Sequence, residues 1–235
     1  MPKDKSYCTN EKWPGRPNCK ECAIRGTVLF SVLSEADLEA SLLKIDNQWF
    51  DVDSELFSAH SKPNYVYTVR AGCVKMVHKL EDGNTRIVRL HYRGDAIGLE
   101  ALLGEPYRHS AIVLQRADVC RIPVSVVHTL EERNKLLHEQ LMQRWQSSLD
   151  EAESFITELN TGQAESRLAC LLLKLDAHSD QHAIPDLMRE DIAAIIGVTT
   201  ETASRLMADF RRRKLIWSDG SRQVRCDAEA LKKLR

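Results

Sequence analysis

Two groups of side chains could do chemistry in this chain, and they lie at opposite ends of it. Near the C-terminus, Thr200-Glu201-Thr202-Ala203-Ser204-Arg205-Leu206 sets a carboxylate, hydroxyls and a guanidinium at helical spacing. Glu201 can accept a hydrogen bond from a cytosine amino group. Arg205 can donate two to a guanine, and Ser204 can reach a base or a phosphate. At the other end, Cys8, Cys19 and Cys22 crowd into the first 22 residues of a chain with seven cysteines in all. An odd total does not make a complete disulfide framework.

For Glu201, Ser204 and Arg205 to read a groove, a second helix must brace theirs at a tight angle. The residues upstream supply the parts. Ala193 is small enough for two helices to touch, and Gly197 tolerates the positive φ of the turn. Ile192, Ile196, Val198, Ala203 and Leu206 fall where both helices face inward, and Thr199 or Thr200 can cap the second one. The segment is therefore read as a helix-turn-helix rather than a plain helical hairpin. Thr200, Glu201, Ser204 and Arg205 are the expected DNA contacts, with Arg211 and Arg212 from the basic run Arg211-Arg212-Arg213-Lys214. Residues 215–224 then predict a β-hairpin turning at Asp219-Gly220, a wing whose basic flanks suit phosphate.

Charge agrees with this placement. The whole chain carries a net charge of only -1, but residues 200–235 hold ten Lys/Arg against five Asp/Glu. That pattern fits DNA contact through one domain. At 235 residues there is room for two modest domains, and 43% hydrophobic with 29% charged residues is an ordinary globular balance. No apolar run is long enough to span a bilayer, and Met1-Pro2-Lys3-Asp4-Lys5 lacks the core of a secretory signal, so the expected compartment is the cytoplasm and no membrane partner is expected.

Between the two ends, residues 49–123 read as strands. Residues 65–69 are aromatic and β-branched, 72–77 follow, and Glu81-Asp82-Gly83-Asn84 supplies a turn into 85–92. Strands are also expected at 110–115 and 118–122, which together suggest a small β-barrel or β-roll. Ser34-Glu35-Ala36-Asp37 suits the cap of a short helix over 37–43. From 124 to 159 the period becomes helical: Leu130, Leu137, Leu141, Trp145, Leu149, Ala152, Ile156 and Leu159 follow at steps of three, four or seven. They predict one helix on the order of 50 Å long, its stripe packed on the same helix of a second chain or covered by its own barrel. The eight histidines show no ligand spacing.

This order of parts resembles the CRP/FNR family of bacterial regulators. The likeness rests on Gly94-Asp95-Ala96-Ile97-Gly98, on Ala164-Glu165-Ser166-Arg167-Leu168-Ala169 and on Glu201-Thr202-Ala203-Ser204-Arg205. It implies an α+β fold: an N-terminal arm over 1–30, a cyclic-nucleotide-binding-like β-roll sensor over 31–123, a long dimerisation helix over 124–160 and a winged helix-turn-helix over 161–235. It implies a homodimer joined through Leu137, Leu141, Trp145, Leu149 and Ile156, bound to double-stranded DNA and expected to contact RNA polymerase. Glu201, Ser204 and Arg205 match the FNR branch, which implies TTGAT-like half-sites in an inverted repeat about 34 Å apart.

The resemblance also bears on the signal. Branches that bind cyclic nucleotide use a Gly-Glu pair and an Arg-Ser pair; here those stretches read Gly98-Leu99 and His109-Ser110, with Arg108 one residue away. The FNR branch instead holds a 4Fe-4S cluster on N-terminal cysteines and one from the roll. Cys19 and Cys22 resemble the start of that group, and Cys120 falls at the roll position. The family pattern has a third cysteine a few residues after the pair; residues 23–30 have none, and Cys8 is the candidate for its place. The same four thiolates could hold zinc, or form a thiol switch. Regulation by a small effector in the roll is a further alternative, and a metal-dependent enzyme a remote one. Cys73, Cys170 and Cys226 are read as ordinary buried cysteines.

Overall fold

The computed structural model describes residues 31–34, 45–179, 184–218 and 223–235. The expected arm with Cys8, Cys19 and Cys22, the short helix over 37–43 and the turn at Asp219-Gly220 lie outside the described residues.

The aromatic and β-branched segments form one antiparallel sheet: β1 (Asp46–Phe50), β2 (Glu55–Phe57), β3 (Tyr65–Lys79), β4 (Thr85–His91), β5 (Ala96–Ile97) and β6 (Ser110–Pro123). Its order is β1-β6-β3-β4, with β2 also on β6 and β5 on β3. Where the sequence suggests four short strands at 65–69, 72–77, 110–115 and 118–122, the chain makes two long ones. β3 and β6 pair from Tyr65↔Pro123 to Val77↔Ser110, and the register slips between Val69 and Ala71, between Ala71 and Cys73, and between Cys73 and Val74. Such bulges bend the strands without ending the ladder, so the sheet curls instead of stopping. Val69, Val74, Leu90, Ile97, Val113 and Val119 are buried at its core.

Helices follow: α1 (Val124–Arg133), α2 (Lys135–Leu159) and α3 (Ala164–Ala177). The single helix that the periodicity predicts over 124–159 is interrupted at Asn134, which is extended at φ -134°. Its Oδ1 accepts from the backbone N–H of Leu136 at 3.0 Å and so caps the helix that restarts there. The C-terminal elements are β7 (Ile184–Pro185), α4 (Arg189–Ile196), α5 (Thr200–Arg212), β8 (Ile216–Ser218), β9 (Gln223–Cys226) and α6 (Ala228–Lys232). The architecture is α+β, a curled sheet followed by helices and a winged helix-turn-helix. The described residues fall into two compact units, drawn from Met1–His78 with Leu90–Leu149 and from Lys79–Arg89 with Asp150–Arg235. Among the described residues no helix is long and apolar enough to cross a membrane.

Candidate nucleic-acid interface and sensor site

The helix-turn-helix is built as its residues require. α4 ends on Gly197 at φ +67°, a left-handed conformation that costs a residue with a Cβ. Within the same unit, a Cβ at 197 would also lie only 2.5 Å from Nη1 of Arg86. Ala193, Ile192, Ile196 and Ala203 are buried, as expected. Val198 and Leu206 are only half-buried, and Ile195, Met207 and Phe210 carry the rest of the core. Thr199 is the cap of α5: its Oγ1 accepts from Thr202 N–H at 3.2 Å.

With Ala203, Met207 and Phe210 turned inward, the opposite side of α5 is left to solvent. Thr200, Glu201, Ser204, Arg205, Arg211 and Arg212 are all exposed. At 100° per residue, Arg212 stands about 20° from Glu201 around the helix, on the face of Ser204 and Arg205, while Arg211 sits about 80° to one side. Arg211 accordingly reaches Asp186, at 3.5 Å. Arg205 donates to Glu201 one turn back at 2.5 Å, and Arg212 pairs with Asp209. These exposed pairs hold their guanidinium groups loosely. Each can be exchanged for a base edge or phosphate.

β8 and β9 pair from Ile216↔Cys226 to Ser218↔Val224, which is the expected wing. A third strand that the sequence did not suggest, β7, adds to β9 through Ile184↔Val224. Its two residues are too few to show a period.

In the roll, the position of the Gly-Glu pair is occupied differently. Gly98 adopts φ +77°, and a Cβ there would lie 2.8 Å from the Tyr107 ring. That ring stacks on Phe57 at 3.9 Å between centroids, and its hydroxyl donates to the Tyr65 carbonyl at 2.5 Å. Burial raises the phenol to about 12, so it remains a donor. Leu99 is buried beside it, and the Ser110 hydroxyl is taken by the Ala59 N–H at 3.0 Å. Gly98 is thus fitted against a buried aromatic pair, and Leu99 takes the sequence position of the carboxylate expected in the cyclic-nucleotide branches. Tyr107 was not singled out by the sequence, because its partner Phe57 is 50 residues away.

Cys120 lies on β6, 9% exposed, with Asn47 paired to it on one side and Thr68 on the other. Directly paired residues share a face of a sheet. Asn47 donates to Asp118 at 3.2 Å, and Arg70 faces the same carboxylate at 3.2 Å. Thr68 is 3% exposed, and its Oγ1 finds no hydrogen-bond partner among the described residues. A buried hydroxyl in that condition is uncommon and costs free energy. The other described cysteines are set apart: Cys73 and Cys170 are buried and Cys226 is half-buried. Burial pushes the Cys170 thiol up and the Cys226 thiol to about 12.

Along α2 the expected dimer stripe divides. Leu137 and Leu141 are 0% and 2% exposed in the single chain, whereas Leu149 and Ile156 are 54% and 59% exposed; Trp145 is half-buried. The reason is geometric. Each step of four residues advances the stripe by about 40°, so Leu149 stands about 120° from Leu137. Phe155 and Leu159 return to the Leu137 side and are buried, while Met142, Leu149 and Ile156 lie within about 40° of one another on an exposed apolar seam. Leu137 and Leu141 thus spend their apolar area inside their own chain, and the seam is what a second chain could cover.

Known proteins share these parts. Residues 47–134 match the cyclic nucleotide-binding domain family, and residues 166–234 the Crp-like helix-turn-helix domain family. The chain is 27% identical over 206 residues to the fumarate and nitrate reduction regulatory protein of Vibrio cholerae, spanning 85% of this chain and 82% of that one. It is 26% identical to the anaerobic regulatory protein of Haemophilus influenzae, over 86% of this chain and 82% of that one. Among solved structures, FixK2 of Bradyrhizobium japonicum superposes with a TM-score of 0.72 at 25% identity, covering 81% of this chain and 96% of that one. A CRP-family transcriptional regulator of Thermus thermophilus has the same fold at a TM-score of 0.69 and 24% identity, covering 80% of this chain and 95% of that one.

Proposed function

This chain is a DNA-binding transcription regulator of the CRP/FNR family, on its FNR-like branch, and from that premise we propose that it reads TTGAT-like inverted repeats as a homodimer under the control of oxygen or redox state. The observation that carries the reading is the exposed face of α5, where Glu201, Ser204 and Arg205 stand together over a buried core. Arg205 takes a guanine, Glu201 a cytosine amino group, and Ser204 an adjoining base or phosphate; Thr200, Arg211, Arg212 and the wing hold the backbone. Met142, Leu149 and Ile156, with Trp145 at their edge, are the dimer seam, which sets two such helices on half-sites about one turn apart.

The sensing part of the proposal assigns a 4Fe-4S cluster to Cys8, Cys19, Cys22 and Cys120. The donor set suits it: four thiolates complete the coordination, and the one described ligand lies beside a buried hydroxyl that lacks an acceptor. Bound there, the group supplies an oxygen-labile link between the N-terminal arm and β6. The residues do the rest. Cys120 anchors the arm to a strand that runs directly into α1, and the seam on α2 responds to whether the arm is held. Leu99 and His109 favour this reading over cyclic nucleotide, since a buried apolar side chain and an imidazole stand at the sequence positions of the carboxylate and guanidinium that a ribose and phosphate need. Contact with RNA polymerase belongs to the same proposal.

Protein isolated without oxygen and assayed for iron, sulfide and absorbance near 400 nm tests the ligand set. Iron and sulfide in the wild type, lost in Cys120→Ser, support it. Zinc alone, a reversible disulfide, or a metal-free protein whose DNA binding follows an added effector would each replace it.

A further inference from the structure

We propose that Thr68 is the hydrogen-bond donor to the sulfur of Cys120 in its ligating, thiolate form, a role that rests on the cluster reading above. Four observations converge on it. Thr68 and Cys120 are direct partners in the β3–β6 ladder, so their side chains rise from the same face, with Cβ atoms about 4.5–5.5 Å apart. A rotation about χ1 brings a hydroxyl across that gap. The flanking donors are already engaged: Asn47 and Arg70 both serve Asp118. Ala96, which pairs with Thr68 on its other side, has no polar side chain to offer. Thr68 itself is 3% exposed, and its hydroxyl has no partner among the described residues.

The chemistry of sulfur accounts for that orphan. A protonated thiol is a weak acceptor, whereas a thiolate bound to metal carries charge and accepts well. A donor placed beside it is idle in the metal-free chain and satisfied in the loaded one. Groups of this kind tune a cluster by drawing electron density from its sulfur ligands. The plain competitor is that Thr68 is present only as a β-branched strand former; Val would serve that purpose equally well, without burying a hydroxyl.

The test compares Thr68→Val, which keeps shape and branching, with Thr68→Ser, which keeps the hydroxyl. Each protein is reconstituted anaerobically with ferrous iron and sulfide. Thr68→Val should release iron to a chelator about tenfold faster than wild type, and its iron–thiolate stretching bands in resonance Raman should move to higher frequency. Thr68→Ser should match wild type in both. In the metal-free state Thr68→Val should resist urea as well as wild type or better; a weaker fold would give the hydroxyl a structural partner and overturn the proposal. Wild-type behaviour of Thr68→Val in iron release and Raman would also overturn it, with the cluster reading intact. A wild-type protein that takes up no iron or sulfide would remove the cluster reading, and this inference with it.

Discussion

Tyr107 and Phe57 stack face to face at 3.9 Å, and the edge of the Tyr107 ring occupies the space that any side chain at position 98 would need. One aromatic pair thus fixes both the packing of the roll and the need for glycine at position 98. Cyclic nucleotide, added in excess, should leave DNA affinity unchanged, as fluorescence anisotropy will show. Tyr107→Ala should cost about 3 kcal/mol in urea unfolding, in line with removing a buried ring.

The same phenol sets an alkaline limit. Its folded pKa, about 12, is above the ordinary 10.0, so the folded chain holds this proton more tightly than the unfolded one does. Its contribution is complete below pH 10 and is lost as pH rises from 10 towards 12. Tyr107→Phe should flatten that part of the stability profile relative to wild type, while losing about 1 kcal/mol at neutral pH with the bond to the Tyr65 carbonyl.

Cys226 behaves alike in sign and differs in range. Burial, with the nearby carboxylates of Asp176 and Asp227, raises it from 9.0 to about 12, and burial also raises Cys170. Both should stay unmodified by iodoacetamide at pH 8 in the folded protein and react once it is unfolded, as peptide mass mapping will report.

On α2, two leucines of one sequence stripe should behave as different kinds of residue. Leu137→Ala, in the chain's own core, should destabilise by about 2–5 kcal/mol. Ile156→Asp, on the exposed seam, should change the stability of the protomer by less than about 0.5 kcal/mol. It should nevertheless shift sedimentation to monomer. The opposite pattern would place the interface on the Leu137 side.

Arg205 offers the corresponding test at DNA. Its pair with Glu201 is exposed on both sides and adds little to the fold. Arg205→Ala should leave the melting temperature in place, weaken binding to a TTGAT palindrome by about 1–3 kcal/mol and relax the preference for guanine at one position.

These contrasts also show what could be read from the chain alone. The helix-turn-helix was legible because its constraints are local: Ala193, Gly197, Thr199 and Arg205 fall within a single window in which each position has one physical demand. The helix over 124–159 was legible as a period, but its interruption was not, since Asn134 can be solvated within a helix or cap a new one. Which leucines of the stripe are free was hidden as well, because steps of four drift around the helix and the own-chain core takes Leu137 and Leu141. Tyr107 with Phe57, and Thr68 with Cys120, join residues 50 and 52 positions apart. Strand register brings Thr68 to Cys120, and Tyr107 reaches Phe57 from the loop before β6; the hydrophobic pattern marks neither.

The most direct test of the whole account is the affinity of one preparation for a TTGAT inverted repeat, measured by anisotropy without oxygen and again after exposure to air. If thiolate ligation by Cys8, Cys19, Cys22 and Cys120 sustains the dimer, affinity should fall by about a hundredfold or more in air, as two-site binding gives way to one, and Cys120→Ser should show the low value under both conditions. Equal, tight binding in both atmospheres, with Cys120→Ser unchanged, would contradict it.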